Sequence, residues 1–94
     1  MIKLDIQPIE YFSNLDEEYF FTWAHDVGCV ERTHSGYLYI EEEKADEPNL
    51  RDLLGLLHRY KVDASPLAVL CNPSNEAWFK NKQAYWYSSV FKNA

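Results

Sequence analysis

Asn14-Leu15-Asp16-Glu17-Glu18-Tyr19-Phe20-Phe21-Thr22-Trp23-Ala24-His25-Asp26-Val27-Gly28 is the stretch that decides the fold. Leu15, Tyr19, Phe20, Trp23 and Val27 recur at helical spacing, which predicts a helix near residues 14–27 with that stripe facing a core. Asn14 can cap it, and Glu17, three residues on, completes something close to a capping box. Asp16, Glu17 and Glu18 suit the positive end of the helix dipole. Gly28 stands where a left-handed C-cap residue belongs.

Upstream, Ile2, Leu4 and Ile6 alternate with Lys3, Asp5 and Gln7, the period of a half-buried strand that Pro8 ends. Downstream, the period falls to two between Cys29 and Glu42. Val30 and Tyr37-Leu38-Tyr39-Ile40 flank Thr33-His34-Ser35-Gly36, which reads as a hairpin with a loop of four residues or slightly more. Glu41 to Pro48 is almost wholly acidic and is expected to be an exposed connection.

Asn49 is expected to cap a second helix over about residues 49–60, with Leu50, Leu53, Leu54 and Leu57 as its apolar stripe. Gly55 inside it costs about 1 kcal/mol relative to alanine, a sign of close packing. In Pro66-Leu67-Ala68-Val69-Leu70-Cys71, proline after Ser65 favours a short helix over a buried strand. Ser74 or Asn75 can cap a further short helix through Phe79, and Asn81 a last one through Phe91. The expectation is an α+β fold: a small strand, helix and β-hairpin unit packed against a helical C-terminal half. Ninety-four residues without linkers or repeats form one domain, 1–94.

Composition narrows the function. Residues 1–47 carry twelve acids against Lys3, Arg32 and Lys44, a net of −9, whereas residues 48–94 carry a net of +3. Duplex nucleic acid is repelled by such a first half, because affinity for it comes from cations neutralising phosphates. No apolar run approaches the roughly 20 residues that span a bilayer, and the N-terminus does not resemble a signal peptide. A cytoplasmic location follows, with Cys29 and Cys71 as reduced thiols in the core.

His25, Cys29 and His34 form the one cluster with metal-ligand chemistry. Their spacing matches no zinc signature, and Gly28 interrupts the helix between His25 and Cys29. The plain reading puts His25 at a helix C-terminus and His34 in a turn. Cys29 follows a helix C-terminus, where the thiolate is disfavoured, and Cys71 sits in an apolar run, so neither suits a nucleophile. Glycine-rich phosphate loops and calcium-loop patterns are missing. The sequence therefore implies no catalytic residue and no cofactor.

The aromatic tail is the least ordinary feature: six of the fifteen aromatic residues lie between Trp78 and Phe91. Tyr85, Trp86 and Tyr87 are consecutive, and a helix cannot bury all three on one stripe. The leading expectation is a non-catalytic protein-interaction module, in its specific version an inhibitor or immunity-type protein masking a basic partner. Glu41, Glu42, Glu43, Asp46 and Glu47 would steer that partner, with Tyr85 or Trp86 as an anchor. The alternatives are a small enzyme or metal protein using His25, Cys29 and His34, and a single-strand nucleic-acid binder stacking bases on the tail beside Lys80, Lys82 and Lys92.

Overall fold

The computed structural model describes residues 1–92. Strand β1 (Ile2–Asp5) is followed by helix α1 (Asn14–Asp26) and a hairpin of β2 (Val30–His34) and β3 (Tyr37–Ile40). A 3-10 turn at Glu42–Lys44 leads into α2 (Glu47–Arg59). A second 3-10 segment (Ser65–Leu70) and two single-turn helices, α3 (Glu76–Phe79) and α4 (Tyr87–Val90), complete the described residues. The protein is α+β, with the sheet in the N-terminal half and helices filling the C-terminal half.

The sheet is antiparallel in the order β1-β3-β2. Register places Ile2 opposite Ile40 and Leu4 opposite Leu38. All four are buried, so one face feeds the core. On the other face the Lys3 ammonium stands over the Tyr37 ring and the Arg32 guanidinium over Tyr39. The hairpin turn is shorter than the sequence suggests. His34 is in β2, and only Ser35 and Gly36 turn the chain, both with positive φ (52° and 84°). Two such residues match the twist of the strands they join, as in a type I′ turn. Gly36 is required for space as well, since a Cβ there would run into the Gln7 side chain.

Helices α1 and α2 run antiparallel. Asp16, near the start of α1, accepts a hydrogen bond from the Tyr60 hydroxyl just past the end of α2 (3.0 Å). At the other end, a Cβ on Gly28 would stand 2.6 Å from the Asn49 amide oxygen. Gly28 thus clears space for Asn49, and Val27, with extended backbone, caps α1 instead. The N-cap is Ser13, not Asn14: its hydroxyl accepts the Asp16 N–H (3.1 Å), and the Asp16 carboxylate accepts the Phe12 N–H (3.0 Å). The first is the N-cap bond of a capping box, one residue earlier than expected; the second reaches the N–H of Phe12, one residue before the cap, in place of that of Ser13.

Helix α2 begins at Glu47 rather than at Asn49, because Asp46 accepts the Asn49 N–H (3.1 Å) and Pro48 fits the first turn. Asn49 instead donates its side-chain amide to the Lys44 carbonyl (3.0 Å). The expected stripe of Leu50, Leu53, Leu54 and Leu57 is buried, and so is Leu56, because α2 is covered on both flanks. Its C-terminus is a Schellman motif: Val62 N–H bonds the Leu57 carbonyl (2.9 Å) and Lys61 N–H the His58 carbonyl (3.3 Å).

In the tail, the segment from Pro66 is helical, as proline's position favours. The last helix is only Tyr87–Val90, not a run from Asn81. Side chains hold this part together: the Trp86 indole donates to the Phe79 carbonyl (2.7 Å), and Phe79 meets Phe91 edge to face. Among the described residues no helix is long and apolar enough to cross a membrane.

Candidate functional site

Helix α1 presents more apolar surface than the core takes. Phe20, Ala24 and Val27 are buried, but Leu15 and Tyr19 are 53% and 61% exposed. The expected stripe is therefore corrected at its start. Leu15, Tyr19, Trp23 and Val27 form an i, i+4 row, and each such step turns about 40° around a helix of 3.6 residues per turn. A row that reaches the core at Val27 has rotated out of it by Leu15. Phe12, just before the N-cap, is 91% exposed. An apolar residue there usually packs against the fourth helical residue, which here is Glu17. The helix carries Asp16, Glu17, Glu18 and Asp26 and no Lys or Arg, so this apolar surface has an acidic border.

Trp23 leads from that surface onto α2. A Cβ built on Gly55 would lie 3.5 Å from Trp23 Cζ2 and 3.6 Å from the Tyr85 hydroxyl, ordinary contact distances. Two aromatic side chains thus close over the bare backbone at Gly55. Tyr85 packs edge to face on His58 (4.7 Å) and on Trp86 (5.0 Å). Arg51, held by Glu47 (2.8 Å), lies over the rings of Trp78 (4.7 Å) and Trp86 (5.5 Å).

Trp86 is thereby corrected as an anchor. It is 5% exposed with its one donor used inside the chain, whereas Tyr85 is 50% exposed. Tyr87 and Trp78 are half-buried and Phe91 is buried, so Tyr85 is the one exposed ring among the six of the tail. Lys92 pairs with Asp63 and Lys80 stands over Phe91, while Lys82 is exposed and forms no ion pair among the described residues.

The acidic run is more structured than an exposed connection. Glu41 pairs with Lys44 (3.0 Å), Asp46 caps α2 and Glu47 pairs with Arg51. Glu42 and Glu43 are exposed and form no ion pair among the described residues. Of the five acids, these two are left for work outside the fold.

No protein family, curated protein or solved structure matches this chain.

His25, Cys29 and His34 do not converge. Cys29 is fully buried, its thiol 3.9 Å from the Asn49 carbonyl, while His25 is exposed on α1 and His34 is exposed at the far end of β2. Four residues of strand separate His34 from Val30, about 13 Å. Among the described residues, no three His, Cys, Asp or Glu side chains are grouped to hold a metal ion. Burial, helped by Asp46, Asp52 and Glu41, pushes the Cys29 thiol up to about 11. At about pH 8 only about one molecule in a thousand then carries the thiolate, so native Cys29 should resist a maleimide and half-buried Cys71 should label first. The unfolded chain releases this proton earlier, so the contribution to stability is present below about pH 9 and lost by about pH 11. Mass spectrometry of labelled peptides checks the order, and rapid labelling of Cys29 would contradict it.

Proposed function

We propose that this chain is a cytoplasmic protein-interaction module of the inhibitor or immunity type, which masks a basic partner. The observation that carries the reading is the outer face of α1: Leu15 and Tyr19 are more than half exposed on a helix whose only full charges are negative. Isolated apolar residues on a surface need no explanation, but neighbours one helical turn apart mark contact surfaces. Tyr85 extends the face across Gly55. Glu42 and Glu43 lie toward the other end of the helix pair, about 20 Å along α1, within the spread of an interface of about 800 Å² per partner.

The two features have separate duties. Charges at a rim raise the association rate and are screened beyond about 8 Å at physiological salt, whereas aromatic anchors slow dissociation. The test uses a basic protein retained by this chain from an extract of the source cells at low salt. Glu42→Gln with Glu43→Gln should slow association with it several-fold at low salt, and the difference should shrink as salt rises. The change in fold stability should stay within about 0.5 kcal/mol. Unchanged association at every salt concentration would reduce the acidic run to a solubilising surface.

A further inference from the structure

Between the β1–α1 connection and the end of α2 lies an open cleft of about 550 Å³. That volume is in the range of small-molecule sites, about 300–1,000 Å³. Its walls are Pro8, the exposed Phe12 ring and Tyr60, and its charged residues are Arg59 and Lys61 with Glu10 and Asp16. The walls are fixed from behind. Tyr60 packs on Phe20 and Tyr11, and burial, then its bond to Asp16, raises its hydroxyl above the usual range and keeps it a donor. Both Asp16 oxygens are occupied, one by the Tyr60 hydroxyl and one by the Phe12 N–H. The two cations are not matched this way. Neither Arg59 nor Lys61 forms an ion pair or lies over a ring among the described residues, a state shared by Lys82 away from the cleft, whereas Arg32, Lys44, Arg51 and Lys92 all pair with acids.

Lys61 also sits where glycine would be easier. It is the left-handed residue of the Schellman motif, with φ of 58°, a position that favours glycine. A cationic side chain thus stands at the cleft at a conformational disadvantage. Helix-dipole stabilisation explains a cation near the last turn, but it does not explain the aromatic wall beside it. We propose that this cleft binds a small aromatic monocarboxylate, its carboxylate between Arg59 and Lys61 and its ring against Phe12 and Pro8. Glu10 and Asp16 at the same cleft disfavour a phosphate dianion, which selects the single charge. This site is separate from the protein-binding face and stands or falls without it.

The test is titration of the isotope-labelled chain with phenylacetate, and with phenylacetamide as the uncharged control, followed by amide chemical shifts. Phenylacetate should give saturable shifts at residues 9–12 and 59–61 at millimolar concentration, and phenylacetamide should not. Arg59→Gln should weaken binding about fivefold or more. Lys61→Gly is the sharper variant: it should melt a few degrees higher than the wild type and still bind about fivefold more weakly. A helix cap with no ligand predicts the higher melting alone. Absence of saturable shifts, an equal response to the amide, or unchanged affinity in both variants would overturn the site.

Discussion

Trp86→Ala is expected to lower stability by about 3–5 kcal/mol, as for other large buried aromatics cut to alanine. Trp86 is 5% exposed, meets Trp78 and Tyr85 edge to face, and lies under the Arg51 guanidinium. It also donates the hydrogen bond that ties the turn before α4 to the end of α3. Helices of one turn have almost no stability of their own, so residues 80–92 depend on this side chain and on Phe79. Trp86→Phe separates the two contributions. It keeps most of the packing but leaves the Phe79 carbonyl without its donor, which costs about 1–3 kcal/mol. Urea unfolding of both variants checks the order, and a near-neutral alanine variant would mean that the tail does not pack on α2.

Leu53→Ala and Leu54→Ala should each cost about 2–5 kcal/mol. Both are essentially inaccessible, and α2 has α1 on one side and the tail on the other. Gaps left there have few routes to collapse, which places the expected loss toward the upper end for both. If both variants unfold at the wild-type urea concentration, α2 is not the centre of the core.

These losses bear on why the architecture was legible in the sequence and the surface was not. Alternation in Ile2-Leu4-Ile6, the leucines of α2 and the acids before Tyr19 each report a local period, and local period depends on neighbours in sequence. The start of α2 was also present, in Asp46 followed by Pro48, but a run of acids reads as solvated until one of them is seen capping a helix. The two-residue turn was hidden because Ser35 with positive φ is uncommon outside glycine and asparagine. Burial around α1 was the harder problem. Leu15 and Val27 belong to one row of side chains, and only the position of the sheet and of Tyr60 decides where that row leaves the core. Likewise Tyr85, Trp86 and Tyr87 required one exposed ring, and which one is set by the Phe79 carbonyl. The candidate surface thus follows from contacts between residues far apart in the chain. The cleft of Arg59 and Lys61 belongs to the same class, since its other wall comes from Pro8 and Phe12.

The central claim is that α1 faces a core on one side and a partner on the other, and one double variant addresses both sides. Leu15→Ser with Tyr19→Ser should leave the urea midpoint nearly unchanged, since exposed positions usually shift stability by less than about 0.5 kcal/mol. The same variant should release the captured basic partner about tenfold faster, or more, at every salt concentration. A marked fall in the urea midpoint with unaltered dissociation would contradict the account, because Leu15 and Tyr19 would then serve the fold and not an interface.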